Sequence, residues 1–227
     1  MKHITLFVWL SFQSFFSLAQ SDTAFFKIII PKLSISSIIN PITPTVEPGF
    51  EIRFAKSFSY DFALGIQAGK NNTDNFLNQR YTKYKNEMRY YPMTLQSKKA
   101  MPFIGLEYLN FTRTYSKQSS TFYVDDHTVA YSSADVTRKI NAISIVVGSQ
   151  FLFLKKFTID VFTGMGLRSR NIQYSKISPP GNANDEGGND TGLIRFHDSD
   201  YRAGKFHTVN IPLSIRAGYE LPLRRKK

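Results

Sequence analysis

The sequence predicts an all-β protein, an eight-stranded antiparallel up-and-down β-barrel, and three observations lead to this fold class. Apolar and polar residues alternate with a period of two in many segments, as expected for strands whose two faces meet different surroundings. Glycine and proline recur along the chain, and no segment shows a convincing 3.6-residue repeat. The composition includes 20 Phe and 12 Tyr but no Cys, which argues against disorder and excludes disulfides and thiolate metal sites.

The N-terminus has the order of a secretory signal peptide. A positively charged start is followed by the mostly apolar run Ile4–Phe16 and by small residues up to Ala19, where cleavage is expected. The apolar run is shorter than the roughly 20 residues that a spanning helix needs, which argues against a membrane anchor. We therefore predict a signal peptide over 1–19 and an exported domain over 20–227, with strands within about 28–221.

The first four predicted strands precede the middle of the chain. Lys32–Ile39 has the weakest alternation of the eight. Phe50–Phe54 alternates apolar with charged residues, and Phe62–Gly69 alternates apolar residues with Ala, Gly and Gln. The short connection between these two segments, centred on Ser57–Tyr60, favours a tight antiparallel turn. Glu87–Tyr91 follows as a strand with charged and aromatic residues on alternate positions.

The last four predicted strands show the same period. Ile104–Tyr108 alternates apolar residues with Gly and Glu, and Ala142–Gly148 alternates Ile and Val with small residues. Phe157–Arg168 and Val209–Glu220 are the longest, with apolar residues on one face and mostly small, polar or charged residues on the other. Together with the first four, these segments make eight strands.

The predicted connections alternate between short and long. The turn at Lys155-Lys156 is short, whereas the segments 70–82, 116–138 and 175–205 are long and polar. Outer-membrane barrels have short periplasmic turns at one rim and longer extracellular loops at the other. The pattern therefore predicts a transmembrane β-barrel in the bacterial outer membrane.

The two faces of the predicted strands differ in polarity. One face is almost entirely apolar and suits lipid, whereas the other combines charged residues with Gly, Ala and Ser. An eight-stranded barrel has room inside only for side chains, and an unpaired buried charge is costly, so acidic and basic residues inside should pair. The predicted interior charge network, a structural one, consists of Glu51, Arg53, Glu87, Arg89, Glu107, Asp160, Arg168, Arg216 and Glu220.

Two segments carry a resemblance to a known family. Asn86–Pro92 and the closing strand Val209–Glu220 resemble small outer-membrane β-barrel proteins of the OmpA/OmpX type and the PorT-like barrels, over about residues 28–221. The resemblance implies the barrel fold and hardly specifies an activity. Many such proteins end on an aromatic residue that the barrel assembly machinery recognises. Here the chain continues beyond it, so that either Tyr219 or Leu221 serves this purpose, or more chain was present originally.

Two arrangements resemble functional sites, and we expect neither to be one. His207 begins the last strand on the lipid-facing side, while Ser149 lies near the opposite rim, so they cannot form a hydrolase pair. The segment 182–190 is rich in oxygen ligands, but Leu193 occupies the position where a calcium loop requires Glu. The sequence therefore predicts no catalytic residue, no cofactor and no metal.

The formal net charge of +12 is informative about binding partners and solubility, and it leaves the fold open. No basic helix and no basic strand surface with stacking aromatics is apparent, so nucleic acid is not expected. Basic residues fall near both predicted rims, where the phosphates of lipopolysaccharide and other outer-membrane lipids would meet them.

We therefore expect a non-enzymatic outer-membrane protein that acts through its long extracellular loops in surface interaction, envelope integrity or a secretion-accessory role, with an unknown protein partner. One alternative is a soluble exported β-barrel or sandwich that binds an apolar ligand, with the opposite inside-outside assignment. In that case Ile145→Arg would unfold the protein and Gly148→Arg would be tolerated. A lipid A-modifying barrel enzyme is the remaining alternative.

Overall fold

The computed structural model is nearly all β, as predicted. It describes residues 28–39, 44–68, 77–92, 99–124, 127–179 and 202–222; the predicted signal peptide and the segment 182–190 lie outside these ranges. The elements in chain order are β1 (Ile28–Ser34), α1 (Ile35–Ile38), β2 (Thr45–Val46), β3 (Pro48–Arg53), β4 (Phe58–Gln67), β5 (Leu77–Tyr90), β6 (Ala100–Val124), β7 (His127–Phe153), β8 (Phe157–Ser178), β9 (Gly204–Asn210), β10 (Leu213–Tyr219) and β11 (Leu221–Pro222).

Antiparallel pairing closes eight strands into a ring. The order around the ring is β10, β1, β3, β4, β5, β6, β7 and β8, and β8 pairs again with β10. β8 also pairs with β9, so β9 and β10 act as one strand that is interrupted at Ile211-Pro212, where proline cannot donate a ladder hydrogen bond. The predicted number of antiparallel strands around the sheet is therefore confirmed.

Several predicted boundaries are wrong. The strand expected over Lys32–Ile39 ends at Ser34, where the chain turns into α1 and the Ser37 hydroxyl donates a hydrogen bond of 2.9 Å to the Ser34 carbonyl oxygen. The segment 116–138 is not a loop, because β6 and β7 continue through nearly all of it and leave only residues 125 and 126 between them. Its many Ser and Thr residues obscure the apolar alternation without preventing strand pairing.

The other two long connections are also shorter than predicted. β5 begins at Leu77, within the segment 70–82, and β8 continues into the segment 175–205 as far as Ser178. The ring thus has the predicted short connections at one end, which we call the short-turn end, and the projecting strands at the other, the long-strand end.

The outer face of the ring carries an exposed apolar belt. Leu106, Ile145 and Met165 are cross-strand neighbours on β6, β7 and β8, and they are 56%, 62% and 67% exposed. Among the described residues, no helix has the length and apolar character needed to cross a membrane. Other members of the belt are Leu64, Ile66, Met88, Ile104, Ile143, Val147, Val161, Leu167, Val209, Ile211, Leu213 and Ile215.

Glycines keep the interior narrow where neighbouring strands approach closely. A Cβ atom at Gly148 would lie 2.4 Å from the Phe162 Cβ and 2.5 Å from the Val161 carbonyl oxygen. Contacts this short would force the strands apart. The soluble alternative predicted that Gly148→Arg would be tolerated, and these contacts argue against that prediction.

Gly148→Ala should therefore destabilise the folded protein by about 1–3 kcal/mol, the usual range for overpacking a tight interior. The midpoint of urea unfolding in detergent micelles, followed by far-ultraviolet circular dichroism, measures this loss. Ser149→Ala, one residue along on the opposite face, is the matched control and should leave the midpoint nearly unchanged. Equal midpoints for the two variants would contradict the close approach at Gly148.

Candidate functional site

The most distinctive part of the interior is a buried network of ion pairs, with Arg89 of β5 at its centre. The Arg89 guanidinium donates to Glu87 Oε1 at 2.7 Å and to Asp160 Oδ2 at 2.6 Å, and it reaches Glu51 Oε2 at 3.3 Å. Its planar group also lies 4.2 Å from the centroid of the Phe103 ring. Arg89 is fully buried, so all of its charge is offset by groups inside the ring.

Arg216 of β10 joins a second set of carboxylates to the network. Its Nη1 lies 2.6 Å from Asp61 Oδ1 and 3.1 Å from Glu87 Oε2, and its Nη2 lies 3.4 Å from Glu107 Oε2. The guanidinium stacks 4.6 Å from the centroid of Phe162. Glu87 therefore bridges two arginines from strands on different sides of the ring.

Lys32 of β1 lies among three buried carboxylates. Its ammonium donates to Glu51 and to Asp160, and it lies 3.1 Å from Asp61 Oδ2. Oxygen atoms of these three residues lie within 4.8 Å of one another, a spacing that could hold a metal ion. The Lys32 ammonium occupies the position between them, so the chain supplies its own cation there.

The network extends toward the short-turn end through Arg53. The Arg53 guanidinium lies 3.4 Å from Glu220 Oε1 and 3.5 Å from Glu51 Oε1, and it donates to the Gln150 side chain. Gln150 in turn donates to Asp160 Oδ1 at 2.8 Å. The Tyr91 hydroxyl donates to Glu51 Oε1 at 2.8 Å, as part of the same cluster of bonds.

A smaller group of charges lies further toward the long-strand end. Glu47, in the link between β2 and β3, is buried and accepts from Lys83 Nζ at 2.6 Å and from the Thr45 hydroxyl at 2.8 Å. Lys85 Nζ lies 3.1 Å from the other Glu47 oxygen. Two lysines therefore share one carboxylate here.

The structure brings eight of the nine predicted network residues into contact with oppositely charged partners. The ninth, Arg168, lies toward the long-strand end of the ring, where its Nε donates to the Thr208 hydroxyl at 3.3 Å in exposed surroundings. The eight are Glu51, Arg53, Glu87, Arg89, Glu107, Asp160, Arg216 and Glu220.

Besides Tyr91, sequence reasoning missed three members of the network. Asp61 precedes the predicted strand Phe62–Gly69 and has the parity of Ala63, so extending that strand by one residue would have included it. Lys32 was hidden by the weak alternation of its strand, and Gln150 lies two residues beyond the predicted end of its strand with the same parity as Gly148.

The two residues of the rejected hydrolase pair lie far apart. His207 pairs with Ser169 and Ser149 pairs with Val161 on the same strand, β8. These partners are eight positions apart, which corresponds to roughly 26 Å along a strand. The structure does not bring the histidine and the serine together.

The β6–β7 hairpin projects past the apolar belt at the long-strand end. Phe122 stacks on Tyr174 with a centroid distance of 4.1 Å, and Tyr131 packs against both rings at 5.8 and 6.1 Å. Nearby, hydrogen bonds from the Ser116 hydroxyl (2.7 Å) and from Lys176 to the Asp135 carboxylate lower the pKa of Asp135. These contacts pack the described part of the hairpin against β8.

Fold and site together define a class: a closed antiparallel ring of eight strands that is apolar outside and charged inside. No protein-family model matches the chain, and no curated protein matches it. Among solved structures, the chain is similar to the crystal structure of CarO from Acinetobacter baumannii, an outer-membrane β-barrel protein, with 8% identity and a TM-score of 0.40 over 89% of this chain and all of that chain.

Proposed function

We propose that this chain is a non-enzymatic, non-conducting β-barrel of the bacterial outer membrane, whose β6–β7 hairpin mediates surface interaction. The observation that carries the proposal is the polarity of the ring. Leu106, Ile145 and Met165 are exposed in one row around the outside, while Arg89, Glu51 and their partners are buried inside. Apolar residues facing outward and charged residues facing inward are expected for strands in a bilayer.

The soluble alternative is disfavoured by the same observation. A soluble protein that binds an apolar ligand inside the ring would place its apolar side chains there. Instead, the middle of the interior is filled by ion pairs such as Arg89 with Asp160 and Arg216 with Asp61. An exposed belt of this extent on a soluble protein would favour aggregation.

The ion-pair network supports a closed interior. Arg89 and Arg216 reach across the ring to carboxylates of β3, β4, β5, β6 and β8, and both guanidiniums stack on aromatic rings. Opening a path through the ring would require a charged group to move out of the network. Its former partner would then be a buried charge without compensation, which is strongly unfavourable. The barrel therefore acts as an anchor rather than as a pore.

The proposed interaction role rests on the length of β6 and β7. Their pairing continues from Asn110 and Asn141, at the edge of the apolar belt, to Val124 and His127. This is about 14 further residues on β6, or roughly 45 Å of strand. In the membrane, we expect this barrel to contact lipid phosphates at its two rims. We also expect the barrel assembly machinery to bind it during insertion.

Electrophoresis and conductance together test the proposal. Folded protein in detergent should migrate differently from the same sample after boiling, as a closed barrel resists the detergent until it is heated. Reconstituted in planar bilayers, it should give no steady conductance, because the network fills the interior. A soluble protein in the periplasmic fraction would refute the membrane assignment, and stable open channels would refute the anchor role alone.

A further inference from the structure

The outer face of β7, β8 and β9 changes character at the edge of the apolar belt, toward the long-strand end. Cross-strand pairing arranges this face in rows, and the last apolar row consists of Ile143, Leu167 and Val209, which are 58%, 75% and 56% exposed. The next two rows are polar. We call them the polar patch, and its members are Asn141, Ser169, His207, Lys139, Asn171 and Lys205.

Two lysines of the polar patch lie in one row. Lys139 pairs with Asn171, and Asn171 pairs with Lys205, so a single strand separates the two lysines. Neighbouring strands are about 4.8 Å apart, which places the lysine Cα atoms roughly 10 Å from each other. Both side chains are exposed, and their flexible stems allow the two ammonium groups to reach one anion beside Asn171.

The surrounding outer face does not offset the charge of these lysines. Among the described residues of β7, β8 and β9, Asp135 is the one carboxylate on this face. It lies four residues from Lys139 along β7, and its Oδ2 is already 3.0 Å from Lys176 Nζ. In the described part of the chain, no ion pair involves Lys139 or Lys205. The polar patch therefore carries a net positive charge directly beside the belt.

Asn141 adds hydrogen-bond donors in a fixed orientation. Its Oδ1 accepts from the Tyr108 hydroxyl at 3.0 Å and from Asn110 Nδ2 at 2.7 Å. Two donors on one oxygen distinguish the carbonyl end of the amide from its nitrogen end. Among the residues described, none accepts a hydrogen bond from Asn141 Nδ2, so its N–H groups are available to a ligand at the edge of the belt.

The same two rows carry no charge on the other side of the ring. Their members on β5 are Tyr84 and Thr82, and their members on β4 are the exposed apolar residues Leu64 and Ile66. Positive charge in these rows is thus confined to the side formed by β7, β8 and β9. An anion attracted to this part of the outer face has one preferred position instead of a uniform rim.

We propose that the polar patch binds the headgroup of a phosphate-bearing lipid of the outer leaflet, an inference that rests on the proposed outer-membrane location. The acyl chains pack on the adjacent apolar row, and the phosphate lies between Lys139 and Lys205. Hydrogen bonds from ammonium groups to phosphate oxygens are charge-assisted, and basic residues just outside a hydrophobic span attract anionic headgroups. The apolar row next to the charges favours a lipid over a free phosphate ion.

The probe is diphosphorylated lipid A, added to the folded full-length protein in a non-ionic detergent at low ionic strength. Native mass spectrometry measures the fraction of protein with bound lipid, which should saturate. Lys139→Gln/Lys205→Gln should weaken binding at least about tenfold, because two charge-assisted hydrogen bonds are lost. Asn141→Ala, which keeps the charge, should weaken binding about fivefold through the loss of one neutral hydrogen bond. Lipid A without its phosphates should bind to the native protein as weakly as the diphosphorylated lipid binds to the double lysine variant.

Lys155→Gln/Lys156→Gln is the matched control, since it removes the same charge from the short-turn end and should leave binding unchanged. The heat-induced change in electrophoretic migration shows that each variant is folded, and Lys205→Gln replaces the double variant if that variant does not fold. An equal loss of binding in the control, or equal binding of lipid A without phosphates, would overturn the proposal. Native protein that shows the heat-induced change but binds no lipid A would also overturn it, while leaving the outer-membrane role standing.

Discussion

Replacing Arg89 with methionine should lower the free energy of unfolding by about 3–5 kcal/mol, the range seen when one partner of a buried ion pair is removed. Arg89 touches Glu87, Asp160 and Glu51 within 3.3 Å, and methionine would leave these buried carboxylates with fewer cations. The loss of the stacking contact with Phe103 adds to the effect. Urea unfolding in micelles, followed by far-ultraviolet circular dichroism, gives the measurement.

Two further variants make the Arg89 result specific. Lys139→Met removes an exposed lysine from the outer face of β7 and should change stability by less than about 0.5 kcal/mol. Adding Glu87→Gln to Arg89→Met removes one of the carboxylates left in excess, so the double variant should recover part of the loss. Glu87→Gln alone lowers the free energy of unfolding of the native protein by a certain amount. If adding it to Arg89→Met lowers the free energy of unfolding by the same amount, the two charges are not coupled.

Replacing Ile145 with arginine should greatly reduce the yield of folded protein in lipid vesicles. Ile145 lies in the row of the apolar belt formed with Leu106 and Met165, and arginine on the lipid face near the middle of a bilayer costs about 2–4 kcal/mol. The fraction that shows the heat-induced change in migration after reconstitution measures the yield.

Thr137→Arg is the matched control for Ile145→Arg. Both positions lie on the same face of β7, and Thr137 is eight residues closer to the long-strand end, beyond the belt. This substitution should leave the yield nearly unchanged, because the charge stays in water. If both variants insert as well as the native protein, Ile145 does not face lipid and the membrane assignment fails.

Much of the fold could be predicted from the sequence because the alternation of apolar and polar residues separates the inner face of each strand from its outer face. Glu87, Arg89 and Glu107 occupy the positions opposite the apolar face of their strands, and all three are buried. A period-two pattern does not depend on which strands are neighbours, so the inward face was identified without the topology.

The rest depended on long-range pairing that a pattern cannot supply. Arg168 faces the interior, as its position in the alternating pattern predicts, yet it lies two rows of paired residues from the network. The pattern identifies the face of the sheet on which a residue lies, and not its position along the axis of the ring. Lys32 and Asp61 meet only because β1 and β4 both flank β3, and Asp160 joins them from β8 across the ring. The length of the β6–β7 hairpin was missed for a local reason, the polar composition of residues 116–138.

The seam where the two ends of the ring meet has a kinetic consequence. β1 pairs with β10 from Lys32 to Ser34 and with β11 at Ile28 and Ile29, whereas the other pairings around the ring join strands that are nearer in sequence. Hairpins of near neighbours form first and the most distant pairing forms last, since it requires the largest loop to close. We therefore expect the pairing of β1 with β10 and β11 to form last and to bring the Lys32 ammonium to Asp160, so that desolvation of this one charge contributes to the barrier to closure.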